Sequence, residues 1–204
     1  MSTASSVRFF DAQFERQVRE GDFRLNPFEL AALPYLRGRV LDYGCGLGNL
    51  AVAAAQRGCS VLALDASPTA IDHLRRVATE KSLAIEALQA DLRTHLLGED
   101  FDAVVSIGLL MFFDCPTASA QLEQLKSHLR PGGIAAVNIL VEGTTYLDMF
   151  DPASHCLISR EALRRSFAGW KLLLEEYQEF PAPNGQIKSF ATVIAQKPQT
   201  PAPG

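Results

Sequence analysis

The sequence has few cysteines, and none is spaced as a metal site requires. There are four in 204 residues, and neither C-x-x-C nor any other metal-ligand spacing relates them. They are Cys45, Cys59, Cys115 and Cys156. This pattern predicts no metal centre and four reduced thiols. Cys45 lies among closely spaced glycines, where a small residue is needed, and is interpreted as a packing residue and not as a nucleophile.

Long apolar runs are also missing. No stretch of about 18 apolar residues could cross a bilayer, and the first 22 residues are too charged to contain the apolar centre of a signal peptide. The sequence therefore predicts no membrane partner and a cytoplasmic protein.

Positive charge is in short supply. The chain has 19 Lys and Arg against 23 Asp and Glu, a formal net charge of −4, which argues against a large phosphate-binding surface. No nucleic-acid partner is expected. A hydrophobic fraction of 48% is ordinary for a globular protein, and this length suits one domain that is a monomer or a dimer.

The most informative segment is Arg39 to Leu50, which reads RVLDYGCGLGNL. A short apolar run that ends in an acid, Asp42, and then in Gly44, Gly46 and Gly48 is typical of a buried strand that turns abruptly into a helix. Glycine tolerates positive φ and lets a ligand approach the backbone. Asp65 ends a second short apolar run 21 positions after Gly44, near the spacing at which βαβ units place a ribose-binding carboxylate.

Two classes of cofactor use such a turn. A dinucleotide fingerprint, G-x-G-x-x-G, would need a glycine where this chain has Asn49. Asp42 would also repel a pyrophosphate, whereas it suits a ligand that carries an ammonium and a sulfonium. S-adenosyl-L-methionine is therefore the better candidate, and an NAD-dependent oxidoreductase is the weaker alternative.

Further strand and turn signals follow at the spacing of repeated βα units. Strands are predicted over 83–88, 103–107 and 134–140, and a final hairpin over 171–180 and 186–196 turns at Asn184-Gly185. These elements predict an α/β fold, Rossmann-like, with a seven-stranded and mostly parallel sheet, helices on both faces and a C-terminal antiparallel hairpin.

The segment from Asp42 to Gly48 resembles the first motif of the class I S-adenosylmethionine-dependent methyltransferases. The resemblance implies S-adenosyl-L-methionine as cofactor and S-adenosyl-L-homocysteine as product, with Asp42 near the methionine ammonium and Asp65 on the ribose hydroxyls. Asp91 and Leu92 would flank the adenine, although Asp91 could equally cap a helix. The implied cofactor residues are Asp42, Tyr43, Gly44, Cys45, Gly46, Gly48, Asn49, Asp65, Ala66, Asp91, Leu92, Ser106 and Ile107.

Within that superfamily the chain is similar to the tellurite-resistance and thiopurine methyltransferase branch. The similarity rests on residues 109–113, on residues 167–170 and on Asn184-Gly185. The tellurite-resistance branch has a His-Arg pair before the final turn, where this chain has Phe180-Pro181-Ala182-Pro183. That departure argues against tellurite or selenite as the acceptor.

Methyl transfer needs orientation more than acid-base chemistry, so no catalytic residue stands out. Proton acceptors could come from the connection after the fifth strand, where the candidates are His155, Tyr146 and Glu142. The segment 106–113 lacks the Asn-Pro-Pro-aromatic motif of amino-group methyltransferases. Its apolar residues either line an acceptor pocket or belong to the core. The candidate pocket residues are Phe10, Phe14, Met111 and Phe112.

The predicted organisation has three parts: a helical lid over residues 1–38, the cofactor-binding domain over 39–197 and a loose tail over 198–204. The lid hypothesis rests on Phe10, Phe14 and Val18, which share one face of a helix predicted over 7–20; an ordinary packed helix is the alternative. The expected function is transfer of a methyl group to a small molecule, first among them a thiol or chalcogen nucleophile. A protein or RNA methyltransferase and a non-catalytic regulatory module remain the alternatives.

Overall fold

A computed structural model describes residues 5–151 and 154–199, and its centre is one seven-stranded sheet. The strands are β1 (Arg39–Tyr43), β2 (Ser60–Asp65), β3 (Ile85–Gln89), β4 (Phe101–Ile107), β5 (Leu129–Leu140), β6 (Lys171–Pro181) and β7 (Ile187–Gln196). Their order in the sheet is β3-β2-β1-β4-β5-β7-β6. Strands β1 to β5 pair in parallel, and β7 is antiparallel to both of its neighbours. The predicted fold class is confirmed.

Six α-helices accompany the sheet in the described part of the chain. They are α1 (Ser5–Glu20), α2 (Pro27–Ala32), α3 (Asn49–Gln56), α4 (Pro68–Glu80), α5 (Cys115–Ser127) and α6 (Arg160–Ser166). Side-chain caps fix several of their starts: Ser67 accepts a hydrogen bond from the Ala70 amide, and Ser159 accepts one from the Ala162 amide. Serine is favoured at such positions because its hydroxyl can accept a hydrogen bond from an otherwise unpaired amide of the first helical turn.

Apolar side chains pack on both faces of the sheet because successive strand residues point to opposite sides. In β1, Leu41 joins a cluster that includes Leu125 of α5 and Leu163 of α6. Its neighbour Val40 joins a second cluster, which includes Leu50 of α3 and Leu74 of α4. Two buried layers therefore hold the strand ends, and with them any site at those ends, in fixed positions.

The strand order reverses at β1: β2 and β3 lie on one side of it, and β4 and β5 lie on the other. Asp42 is in register with Ala63 of β2 and with Val105 of β4, so the carboxyl ends of three parallel strands lie side by side. Open α/β sheets bind ligands at such a switch point. The glycine turn that follows β1 opens onto this edge of the sheet.

The prediction of four reduced thiols is wrong for two cysteines. Cys115 and Cys156 form a disulfide between the first residue of α5 and the connection that follows β5. They are 41 residues apart in sequence, so local spacing gives no signal, but the fold brings their Cα atoms to 4.8 Å. Cys45 and Cys59 are free and buried.

Two further observations concern the ends and the surface of the molecule. No helix within residues 5–151 and 154–199 is long and apolar enough to cross a membrane. Residues 200–204 of the predicted tail lie outside the described residues. The division into lid, domain and tail therefore stays a prediction.

Candidate active site

A cavity of about 970 Å³ opens at the carboxyl ends of the parallel strands. We call its two regions the cofactor end, formed by Asp42, Gly44, Gly46 and Asp65, and the acceptor end, formed by Phe28, Asn138, Lys188 and Phe190. All eight residues line the cavity. Because β1 and β7 are separated by two strands in the sheet, at about 4.8 Å per strand, the two ends are roughly 14 Å apart.

The glycine turn needs glycine for two physical reasons. Gly44, Gly46 and Gly48 have φ values of 84°, 51° and 76°, which side-chain-bearing residues rarely adopt. In addition, a Cβ at Gly44 would lie 2.8 Å from Leu109, and one at Gly48 would lie 2.5 Å from Leu74. At those two positions the close neighbour is therefore the protein's own core. At Gly46, by contrast, the close neighbour is a residue of α1.

Helix α1 covers the glycine turn. A Cβ at Gly46 would lie 3.1 Å from the ring of Phe14, and the Phe10 ring meets Phe112 edge-on with centroids 5.1 Å apart. The Ser67 hydroxyl donates a hydrogen bond to Asp11, which fastens the same helix to the start of α4. One helix thus touches the cavity at the glycine turn and at the 3-10 turn after β4.

The carboxylate of Asp65 is held in place by backbone amides. Its Oδ2 accepts a hydrogen bond of 2.9 Å from Gly46, and its Oδ1 accepts one of 2.8 Å from Ser67. Burial raises the pKa of Asp65 above 3.8, and these two bonds oppose the rise. A carboxylate has about four lone-pair positions, so each oxygen can still accept a bond from a ribose hydroxyl.

Asp42 is a buried acid, and its Oδ2 atom has no hydrogen-bond partner among the described residues. The residue is 5% exposed. Burial, together with the charges of Glu29 and Asp65, raises the pKa of Asp42 from 3.8 to about 8. A cation placed in the cavity would supply what this carboxylate lacks, so the cofactor end fits the ammonium and sulfonium of S-adenosylmethionine.

Glu29 is a further acid of the cavity that the sequence reasoning missed. It is the N3 residue of α2, where its Oε2 accepts a 2.7 Å bond from the Asn26 amide while the Asn26 side chain caps the helix. Burial raises the pKa of Glu29. The pattern Asn-Pro-x-Glu, a capping box, was the available signal, because it fixes the glutamate at the first turn of a helix.

The structure brings most of the expected cofactor residues to one cavity. Those that line it are Asp42, Gly44, Cys45, Gly46, Asn49, Asp65, Ala66, Asp91, Leu92 and Ile107. Asp91 forms an ion pair of 2.6 Å with Arg93 and accepts a bond from its amide, which lowers the pKa of Asp91. Asp91 therefore also stabilises its own turn, but no helix of the described chain begins there, so the structure does not show the helix cap that was the alternative.

Three of the expected cofactor residues are not brought to the cavity. The Tyr43 ring is fully buried, and its hydroxyl lies 2.5 Å from the carbonyl oxygen of Leu92, to which it donates, and 2.9 Å from Gln121 Oε1. Ser106 is 1% exposed within β4, and Gly48 packs against Leu74. Tyr43 and Ser106 point away because they alternate along their strands with the cavity residues Asp42 and Ile107.

The expected pocket residues all line the cavity, but the catalytic candidates separate. Phe10, Phe14, Met111 and Phe112 face it, as does Tyr146. His155 instead stacks on Phe150 with centroids 5.1 Å apart, and its Nδ1 lies 3.2 Å from the carbonyl oxygen of Asp151. Glu142 is exposed outside the cavity. The structure does not place His155 or Glu142 where either could take a proton from a substrate.

Asn138 and Lys188 are acceptor-end residues that the sequence reasoning missed. Asn138 is 0% exposed, and its Nδ2 donates a 2.9 Å bond to Thr192, whereas its Oδ1 has no partner among the described residues. Lys188 lies over the Tyr146 ring, 4.7 Å from its centroid. In the sequence, Asn138 could have been noticed as the one amide side chain within the apolar run 134–140. No sequence feature distinguishes Lys188 from other lysines.

Comparisons with known proteins agree with this geometry. The family described as methyltransferase domain matches residues 40–133. Hemagglutinin 1 of Eikenella corrodens is 28% identical over 172 residues, which cover 78% of this chain and 55% of that protein. The probable S-adenosyl-L-methionine-dependent methyltransferase TehB of Haemophilus influenzae is 25% identical over 166 residues, which cover 78% of this chain and 57% of TehB.

Solved structures show the same fold. The crystal structure of TehB from Haemophilus influenzae superposes with a TM-score of 0.75 at 19% identity, over 89% of this chain and 65% of that one. Coclaurine N-methyltransferase, solved with S-adenosylhomocysteine, superposes with a TM-score of 0.68 at 15% identity, over 83% of this chain and 71% of that one.

The match over residues 40–133 is thus to a methyltransferase domain. The resemblance to the class I S-adenosylmethionine-dependent methyltransferases is confirmed, and the matches to TehB support the tellurite-resistance branch. S-adenosylmethionine is the cofactor of this class, and the carboxylates of Asp42 and Asp65 suit it. The chain spans about half the length of the relatives it matches, 55% of hemagglutinin 1 and 57% of TehB.

Proposed function

We propose that this protein transfers a methyl group from S-adenosylmethionine to a small-molecule acceptor. The observation that carries the proposal is the buried Oδ2 atom of Asp42, which has no partner in the described part of the chain and lies next to the glycine turn. An uncompensated buried acid is costly, so it is retained where a ligand completes it. A cation, and not a pyrophosphate, completes this one.

The residues divide the work of binding. Asp65, oriented by two backbone amides, accepts bonds from the ribose hydroxyls, while Asp42 and Glu29 give the amino-acid part of the cofactor a negative surrounding. The cofactor supplies an electrophilic methyl group on a positively charged sulfur. The chain contributes orientation, which alone can lower a barrier by several kcal/mol.

The methyl transfer needs no oxidant, reductant or other co-reactant. The bond between sulfur and the methyl carbon breaks as the acceptor's lone pair forms a bond to that carbon, and the sulfur keeps the electron pair as a neutral thioether. The acceptor's proton leaves to water or to a nearby base. Tyr146 is the one of the three predicted proton acceptors that lines the cavity, but it lies beside Lys188, away from the cofactor end, so water is our candidate for that base.

The acceptor we expect first is a thiol or another chalcogen nucleophile, acted on in the cytoplasm. Two observations favour a small organic molecule over an inorganic oxyanion. Phe28, Phe180 and Phe190 contact one another, with centroids 4.8 to 5.8 Å apart, and this aromatic cluster includes the position at which the tellurite-resistance branch has a His-Arg pair. A strongly hydrated oxyanion gains little from such a wall.

The proposal is tested with cofactor carrying a deuterated methyl group. Purified protein is incubated with thiophenol, phenol and aniline, and the products are analysed by mass spectrometry. We expect a labelled methyl on thiophenol in excess over the other two, with one S-adenosylhomocysteine formed per product. Binding of S-adenosylhomocysteine without methylation of any acceptor would favour a non-catalytic regulatory module, and failure to bind it would contradict the proposal.

A further inference from the structure

The acceptor end forms a continuous strip along one face of the sheet. In the pairing of β5 with β7, Asn138 lies opposite Thr192 and Leu140 lies opposite Phe190. Residues that are directly opposite, or two apart on a strand, share a face. Lys188, two residues before Phe190, therefore lies on the same face, and the cavity reaches from Asn138 past Leu140 and Phe190 to Lys188.

The two ends of this strip are polar and the middle is apolar. At the inner end, the Oδ1 atom of Asn138 is buried and unpaired among the described residues, so it needs a hydrogen-bond donor. In the middle, the Phe190 ring packs against Phe28 with centroids 4.8 Å apart. A ligand seated there would place an apolar body between these groups.

The outer end carries a cation without a carboxylate partner. In the described part of the chain, no acidic oxygen lies within 4 Å of Lys188 Nζ, which rests over the Tyr146 ring at 4.7 Å from its centroid. The nearby cavity residue Asp151 has an interaction of its own. Lys188 is half-buried, so an anion of the ligand would gain a partly desolvated ion pair.

The register also sets a length. Thr192, which holds the Asn138 amide, is four residues from Lys188 on β7, and at about 3.4 Å per residue the two are roughly 13 Å apart along the strip. Because this is a separation between backbone positions, a ligand that contacts the Asn138 amide and the Lys188 ammonium spans less than it, and the strip suits an elongated molecule with one or two linked rings or a chain of similar length.

We propose that the acceptor is an elongated apolar molecule whose nucleophile carries a hydrogen that Asn138 Oδ1 accepts, and whose far end carries a carboxylate or similar anion that Lys188 binds. The inference rests on the proposed function, since it describes the acceptor of that reaction. Asn138 is a positioning residue: its bond directs a lone pair of the nucleophile toward the cofactor end. Lys188 determines specificity and has no part in the transfer itself.

The test is calorimetry on the protein saturated with S-adenosylhomocysteine. The probes are 4′-hydroxybiphenyl-4-carboxylate, its uncharged 4-carboxamide, the same carboxylate without the hydroxyl, and the shorter 4-hydroxybenzoate. We expect the first to bind about tenfold more tightly than its carboxamide, and its affinity relative to 4-hydroxybenzoate reports the ligand length that the strip prefers. Lys188→Gln should remove the preference for the carboxylate. Lys171→Gln, an exposed lysine at the distant start of β6, should leave it unchanged.

Asn138→Leu gives the second readout. It should weaken binding of the hydroxylated carboxylate about tenfold and leave binding of the carboxylate without a hydroxyl unchanged, a difference that a purely structural role would not produce. Equal affinity for carboxylate and carboxamide, a preference that persists in Lys188→Gln, or no binding of the carboxylate would each overturn the inference. Failure of S-adenosylhomocysteine itself to bind would instead contradict the proposed function, so the two failures are distinguishable.

Discussion

The two ends of the cavity are built in opposite ways. At the cofactor end, most of the contacts come from residues 42–49 and from Asp65, which is held by the amide of Gly46. At the acceptor end, Phe28, Asn138 and Lys188 come from α2, β5 and β7. The cofactor end is formed mainly by residues close together in sequence, which offer charged and backbone groups. The acceptor end is formed by residues far apart in sequence, and its walls are aromatic. Most of cofactor recognition is therefore readable in one βα unit and the strand that follows it, whereas acceptor recognition depends on the whole fold.

The largest effect should come from the cofactor end. Asp65→Ala removes the carboxylate that we assign to the ribose and leaves the amides of Gly46 and Ser67 without their acceptor. Charge-assisted bonds are worth about 1.5 to 3 kcal/mol each, so the loss of even one should weaken binding of S-adenosylhomocysteine at least roughly tenfold. Asp72→Ala, an exposed acid on α4, is the matched control in the same titration. An unchanged dissociation constant in a folded Asp65→Ala variant would remove this residue from the site.

That difference between the ends also decides what the sequence could predict. The glycine turn, Asp42 and Asp65 follow from local patterns, because spacing along one βα unit fixes them. Tyr43 and Ser106 were misplaced because a motif does not tell which strand residues face the ligand. Lys188, Asn138 and the disulfide between Cys115 and Cys156 depend on contacts across many residues of sequence, such as the 41 that separate the two cysteines.

A second, pH-dependent effect should be confined to the cofactor end. The unfolded chain releases the Asp42 proton near pH 3.8, and the folded protein releases it only near 8. The free energy of unfolding of the cofactor-free protein should therefore decrease as pH rises from about 4 to about 8. Because S-adenosylmethionine needs the ionised carboxylate, its affinity should increase over the upper part of that window, by up to about tenfold per pH unit, and level off above 8.

Calorimetry from pH 6 to 9 measures this dependence, and buffers of different ionisation enthalpy report the proton released on binding. Asp42→Asn is the control, because it keeps the shape of the side chain and cannot ionise. A flat profile in the wild-type protein, or the same slope in the Asn variant, would show that another group governs binding.

The smallest effect should come from α1, which contacts the cofactor end at Gly46 and the cavity wall at Phe112. We propose that this helix is a lid, since Phe14 covers Gly46 and Phe10 contacts Phe112. Phe14→Ala should weaken binding of S-adenosylhomocysteine a few-fold, and Arg19→Ala, on the exposed face of the same helix, should not. Hydrogen exchange over residues 7–20 should slow when the ligand binds. Deletion of residues 1–20 should reduce turnover more than stability.

An ordinary packed helix would behave differently. Equal exchange protection with and without ligand, or full turnover after the deletion, would contradict the lid. Helix α1 would then pack against the cavity without responding to the ligand.

In our proposal, the cofactor lies at the acidic end of one cavity and the acceptor occupies the aromatic end. A crystal structure with S-adenosylhomocysteine tests this directly. We expect ribose hydroxyls within hydrogen-bond distance of Asp65, the ammonium beside Asp42 Oδ2, and the thioether sulfur turned toward Asn138, with the space from Phe190 to Lys188 free of the ligand. Density for the ligand between Phe28 and Lys188, with Asp42 and Asp65 unoccupied, would contradict it.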